Sequence, residues 1–234
     1  MTLSLGDRMK KYEKVSRTSL MPKTPIIIRI DGKAFHTWTK GLETPFDERF
    51  YAAMAKTTQD LVNNIQGAVF GYGQSDEISI FLKDYDTYDT QAWFDGQVQK
   101  IVSVAASLAT AFFNNHARQL GIGEKLAFFD ARAFSLPAHE VTNYFIWRQQ
   151  DFHRNSIQMV GQHFLGHKKM HGLKTQDVVD TLRELDDPVD WYKDYDTVYR
   201  RGYVAIKGAD KVNFDLPDFV VMRDFIEVHV QIDV

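Results

Sequence analysis

The chain has 234 residues, with 28 lysines and arginines against 31 acids, for a formal net charge of −3. A composition of 44% hydrophobic and 25% charged residues is that of a globular protein long enough to bury a substantial core. The absence of cysteine excludes a disulfide scaffold, a cysteine-ligated zinc site and thiol catalysis, and the near-neutral charge argues against a sequence-blind coat for polyanions.

In chain order, Ile26-Ile27-Ile28-Arg29-Ile30 lies between Pro25 and Asp31-Gly32 and predicts a buried strand ending in a turn. Residues 46–66 carry Phe50, Met54, Leu61 and Ile65 on one helical stripe. Residues 67–82 predict two strands around a Gly/Ser/Asp turn. Val98, Ile101, Val102, Ala105, Leu108, Ala109 and Phe112 predict a long helix over 97–120, with Gly121 as its C′ residue. Residues 125–135 read as a further strand, and 138–171 as mainly helical. Thr175 is the expected cap of the next helix, with Asp177 in its first turn. Residues 198–207 and 219–232 read as strands. No apolar run approaches ~20 residues, so no membrane span is expected. The first residues lack the apolar centre of a signal peptide, and a cytoplasmic setting fits the lack of cysteine.

The first 136 residues thus run strand, helix, strand, strand, helix, strand, the order of the ferredoxin-like split unit. The expected class is α+β: an antiparallel sheet with helices on one face over 1–136. Residues 137–234 form a helical and strand extension packed on it rather than an independent domain.

This topology makes the first and third strands neighbours and brings Asp31, at the end of one, beside Asp76, at the start of the other. Glu77 should point to the opposite face from Asp76. Two close carboxylates repel unless protonated or bridged by a cation. Hard oxygen ligands suit Mg²⁺, and Gly32 leaves room for a backbone carbonyl or a phosphate. The set matches a two-metal phosphoryl-transfer site. Asp-Gly is also a plain turn signal, which local sequence favours; the topology brings the two readings level.

Arg29-Ile30-Asp31-Gly32-Lys33-Ala34-Phe35-His36, Tyr72-Gly73-Gln74-Ser75-Asp76-Glu77, Phe129-Asp130-Ala131-Arg132, Trp147-Arg148-Gln149-Gln150-Asp151-Phe152-His153 and Tyr199-Arg200-Arg201-Gly202 occur in that order. The pattern resembles the tRNA-histidine guanylyltransferase family over about residues 5–207. The resemblance implies a polymerase-palm nucleotidyltransferase that extends tRNA at its 5′ end, in the 3′-to-5′ direction, after ATP-dependent activation of that end. It implies two Mg²⁺ ions, ATP and GTP as substrates, the 5′ end of the tRNA acceptor stem as partner, and a homotetramer built as a dimer of dimers.

By position, the resemblance gives Asp31, the Gly32 carbonyl and Asp76 to the metals, with Asp31 and Asp76 catalytic. It gives the stretch Asp31, Gly32, Lys33, Ala34, Phe35 and His36 to the nucleotide, joined by Asp47, Ser75 and Asp76, and gives Lys100 to the phosphates of a second nucleotide or of the RNA end. It gives Arg29, Arg132, His153, Arg154, Asn155, Lys168 and Lys169 to RNA. Arg29 reads equally as a charge partner of the carboxylates, and Lys100, on spacing alone, as a solvated lysine. Of a His-Ile-Asn-Asn signature in the eukaryotic members only His153 and Asn155 remain. The chain therefore resembles the bacterial and archaeal branch, associated with templated repair of 5′-truncated tRNA.

Residues 148–174 hold Arg148, Arg154, Lys168, Lys169 and Lys174 against Asp151, a local balance of +4. His163, His167 and His171 recur at every fourth position, so a helical metal clamp, a phosphate-contacting face and a solvated face are all open. Residues 176–196 carry eight acids against Arg183 and Lys193 and should face solvent or a basic surface of another subunit. Two other functions compete: a palm-type nucleotide cyclase or nucleotidyltransferase without RNA, which needs no basic 148–174 stretch, and a non-catalytic RNA-binding module, against which Asp31, Gly32 and Asp76 argue.

Overall fold

The computed structural model describes residues 3–231. Its sheet has five antiparallel strands: β1 (Ile26–Gly32), β2 (Ala68–Gln74), β3 (Glu77–Leu82), β4 (Phe129–Ser135) and β5 (Tyr203–Ile206), in the order β4-β1-β3-β2-β5. The first four strands stand in the split ferredoxin-like order, with β1 and β3 adjacent and paired Ile28↔Ile80. The polypeptide after residue 137 completes the sheet, because β5 joins it beside β2.

Alternation along β1 sorts its side chains between two cores. Ile26, Ile28 and Ile30 enter the core beneath α3 (Glu48–Asn64) and α4 (Val98–Gln119), with Phe50, Met54, Leu61, Ile101 and Phe113. Ile27 enters the opposite core with Phe70, Tyr72, Phe81 and Phe145, covered by α5 (Ala138–Met170). The distal half of α5 builds a third cluster, Ile157, Val160 and Leu165, with Val178 and Leu182 of α6 (Thr175–Arg183) and Trp191 of α7 (Trp191–Asp194). The remaining α-helices among the described residues are α1 (Leu5–Val15), α2 (Phe35–Trp38), α8 (Thr197–Arg201) and α9 (Asp224–Val230), and a 3-10 turn at Trp93–Gly96 precedes α4.

Three expected boundaries move. The cap of α6 is Lys174 rather than Thr175, and the Asp177 carboxylate accepts from the Lys174 amide at 3.0 Å. The expected strand over 198–207 begins as α8 and turns at Gly202, leaving four residues of strand. Residues 224–230, expected as strand, form α9. Ile226 and Val230 are one turn apart and buried against Phe70 and Phe219, and Arg223 pairs with Glu227 across the same spacing. Residue 232, the end of that expected strand, lies outside the described residues.

Candidate active site

The site grows from the end of β1. There the β1–β3 register sets Asp31 opposite Glu77, and the Gly32 amide donates to the Asp76 carbonyl at 3.1 Å. The β2–β3 turn is tight: Ser75 adopts φ +47°, which puts Asp76 at the sheet edge beside Asp31. Burial raises the Asp76 carboxyl to about 6, and the charges of Asp31 and Glu77 push the same way. An acid so disfavoured as an anion is suited to a cation.

Gly32 is required by close packing, since a Cβ there would lie 2.3 Å from the Phe35 ring. Phe35 is wedged among Trp38, Phe50, Phe113 and Phe129, with centroids 5.1–6.0 Å away. The chain enters α2 through Ala34 at φ 55°, and the first-turn amides of Phe35 and His36 have no intrahelical acceptor.

Beside this turn opens a cavity of about 490 Å³. Gly32, Ala34, Phe35 and His36 form one wall, residues 42–47 with Phe50 and Tyr51 the other, and Ser75 and Asp76 lie between; Met159 and Gln162 reach in from α5. Asp31 and Lys33 are not wall residues, and the Lys33 amide is already bonded to the Phe128 carbonyl. Asp47 is buried as the N-cap of α3. Burial would raise its carboxyl, but the Arg49 guanidinium and the amides of Glu43 and Arg49 hold it below the ordinary value. Tyr51, not anticipated from sequence, lines the cavity with a buried hydroxyl that has no hydrogen-bond partner among the described residues.

Behind the edge, on the α5 face, runs an ionic network. Arg148, 3% exposed, donates to both Glu77 oxygens at 2.7 and 2.9 Å and to Asp151 at 3.0 Å. Arg29 pairs with Glu77 and lies 3.6 Å from Asp31, so its role as charge partner is the one the geometry displays. Arg154 binds the other Asp151 oxygen at 2.9 Å. Arg148 is therefore an internal ion-pair residue rather than part of an exposed basic face.

The remaining expected site residues do not gather here. Lys100 lies near the N-terminus of α4. The Phe129 amide donates to Thr110 of that helix, and Phe129 pairs with Gly32. Ten residues of helix set Lys100 roughly 15 Å from Thr110, toward the opposite end of the sheet, so within one chain the fold does not bring it to the cavity. Arg132 is exposed on edge strand β4, paired in register with Arg29.

His153 packs on the Trp191 ring at 4.6 Å and joins Arg154, Arg200 and Arg201 in a separate cleft of about 430 Å³. Burial lowers its pKa below the ordinary histidine value; Asp218 opposes the shift and the three arginines reinforce it. Asn155, Lys168 and Lys169 are exposed. Gly166, at φ 73° and ψ 161°, breaks α5 between His163 and His167, and His171 caps the helix in extended backbone. The three histidines do not share one helical face, and His163 instead meets the Thr44 hydroxyl at 2.9 Å. Among the described residues no group of three or more His, Asp or Glu side chains is arranged to hold a metal. A cation at Asp31, Asp76 and the Gly32 carbonyl would complete its shell with phosphate oxygens or water.

A family model described as tRNAHis guanylyltransferase matches residues 6–137. An uncharacterized protein of Acanthamoeba polyphaga mimivirus is 32% identical over 206 residues, 77% of this chain and 70% of its own length. The tRNA(His) guanylyltransferase of Schizosaccharomyces pombe is 36% identical over 163 residues, 67% of this chain. The match covers 59% of the fission-yeast enzyme's length, less than two thirds. A bacterial tRNA(His) guanylyltransferase-like protein in complex with ATP superposes at TM-score 0.94 with 44% identity, covering 98% of this chain and 100% of its own. One in complex with GTP gives 0.83 and 40% over the same shares. The Saccharomyces cerevisiae enzyme, at 19% identity, 0.75 and coverage of 93% and 99%, shares the fold.

Proposed function

The chain belongs to the tRNAHis guanylyltransferase family, and from that premise we propose that it is a nucleotidyltransferase adding nucleotides to the 5′ end of tRNA in the 3′-to-5′ direction. The observation that carries this reading is the meeting of Asp31, Gly32 and Asp76 at the mouth of a cavity walled by Ala34, Phe35, His36 and Asp47. The ATP- and GTP-bound bacterial relatives support nucleoside triphosphates as its substrates.

The RNA 5′-phosphate attacks the α-phosphorus of ATP, and the α–β bond breaks with release of pyrophosphate, leaving an adenylylated end. The 3′-hydroxyl of the incoming nucleotide then attacks the RNA 5′-phosphorus, forming the phosphodiester as AMP leaves. Asp31, Asp76 and the Gly32 carbonyl would hold Mg²⁺, which supplies charge neutralisation for phosphoryl transfer. The free first-turn amides of Phe35 and His36, the Lys33 and His36 side chains and Ser75 seat the triphosphate, with Gly32 and Ala34 leaving room for its approach. Asp47 and the unpartnered Tyr51 hydroxyl face the base and sugar. Arg29, Arg132, His153, Arg154, Asn155, Lys168 and Lys169 meet RNA.

Residues 1–136 provide the palm and residues 137–234 the RNA-facing extension. The departures around His153 and Asn155 favour templated repair of several 5′-truncated tRNAs alongside guanylate addition to histidine tRNA. We propose a cytoplasmic homotetramer. Helix α1 supports association, since none of its residues is buried and Leu5, Met9 and Tyr12 form an exposed apolar stripe. An isolated helix of 11 residues is marginal in water.

The test is incubation with 5′-truncated tRNA, ATP, labelled nucleotides and Mg²⁺. The expected result is lengthening whose added base changes when the opposite acceptor-strand base is changed. No lengthening of mono- or triphosphorylated RNA overturns the reading.

A further inference from the structure

Joining a nucleotide to an RNA end requires two substrates, one on each side of the carboxylates. The cavity accounts for one. It opens on the side of the sheet edge where Phe35 and Phe50 belong to the α3–α4 core. Arg29 and Asp31 share the face of Ile27, the α5 face. Across the register they meet Arg132 and Asp130, both exposed, on a strand with no further neighbour in the sheet. A patch of charged side chains beside Asp31 therefore lies open.

Trp147 stands at the rim of that patch. It is 47% exposed, while Trp38, Trp93 and Trp191 are 9% exposed or less. Its ring is fixed from behind: the Arg148 guanidinium lies 4.4 Å from the centroid, and Tyr144 meets it edge-on at 5.8 Å. Arg29 lies 6.0 Å from the same centroid and 3.6 Å from Asp31, which places the indole one guanidinium away from the carboxylate edge. A large aromatic ring, backed by a buried cation and still half-exposed to solvent, suits the π-face of a nucleobase whose phosphate continues toward the charges.

We propose that Trp147 is a stacking platform for the terminal base of the RNA end that is extended. This rests on the function proposed above. It makes Trp147 a positioning residue that holds the 5′-phosphate against the carboxylates while the incoming nucleotide occupies the cavity.

The test uses the full chain and a short 5′-phosphorylated acceptor-stem duplex, with and without the base on its 5′-terminal nucleotide. Because Trp147 is the exposed tryptophan, the intact duplex should shield tryptophan emission from acrylamide, and the abasic duplex should shield it less. Trp147→Phe should abolish this difference in quenching. In single-nucleotide addition, Trp147→Ala should raise KM for the duplex about 10- to 100-fold, with Trp147→Phe intermediate and KM for GTP within about twofold. Equal shielding by both duplexes, or an unchanged duplex KM in both variants, overturns the proposal while leaving the function intact. Shielding that grows with protein concentration without RNA assigns the ring to a contact between copies and also overturns it. A wild-type chain that adds no nucleotide to RNA removes the proposed function, and this proposal with it.

Discussion

The carboxylate edge and the basic stretch of α5 are built in opposite ways. Asp31 and Asp76 are 45 residues apart in sequence and meet because β1 and β3 are antiparallel neighbours. Arg148, Arg154, Lys168 and Lys169 are close in sequence but do not form one surface: Arg148 is buried on Glu77, Arg154 shares Asp151 with it from the exposed side, and the lysines lie beyond the break at Gly166. Contiguous charge is thus a weak guide to a site, because one residue of the run can spend its charge inside the fold. Topology is the stronger guide.

The largest effect that would break this contrast is at the edge. Asp76→Asn should lower nucleotide addition by about a thousandfold or more, since the metal-ligand role proposed for it would supply several kcal/mol of transition-state charge stabilisation. Circular dichroism should show an unchanged fold. Activity within tenfold of wild type would dissociate Asp76 from the chemistry.

Next is the buried member of the basic run. Arg148→Ala leaves Glu77 with Arg29 and the Gln74 amide, and loss of one partner of a buried pair costs about 3–5 kcal/mol. Denaturant unfolding should show a loss of that order, and a change below about 1 kcal/mol would return Arg148 to the surface.

A smaller effect lies in pH. The folded Asp76 carboxyl is raised from 3.8 to about 6. The stability it contributes is therefore complete below the unfolded value and is lost as pH rises through about 6. Without added metal, Asp76→Asn should flatten the melting-temperature curve over that window. A wild-type curve that rises with pH there relative to the variant would contradict the assignment.

The smallest effect on stability is at the lysines. Lys168→Ala with Lys169→Ala should change unfolding free energy by less than about 0.5 kcal/mol. Their loss should reduce the salt slope of tRNA binding by about one to two.

The same contrast explains what could be read in advance. The strand–helix order is sufficient to place Asp31 beside Asp76 and to turn Glu77 to the face opposite Asp76. It also carried an unused consequence: a helix leading into β4 must begin at the end of the sheet away from Asp31, which removes Lys100 from the cavity. Gly166 inside a helical run was a legible warning that the three histidines would not align. The one-turn spacing of Ile226 and Val230 marked a helix where weak alternation suggested a strand. The burial of Arg148, the orphan Tyr51 hydroxyl and the solvent-exposed ring of Trp147 had no local signal, because each depends on which element crosses over it.

The most direct test of the account compares Asp76→Asn with the Lys168/Lys169 double alanine in one assay, the rate of 5′ nucleotide addition over a range of tRNA concentrations. The account predicts that the aspartate variant loses its rate at saturating tRNA, while the lysine variant reaches the wild-type rate and requires more tRNA to do so. A lysine variant slow at saturation, or an aspartate variant rescued by added tRNA, would contradict the division between reaction edge and binding surface.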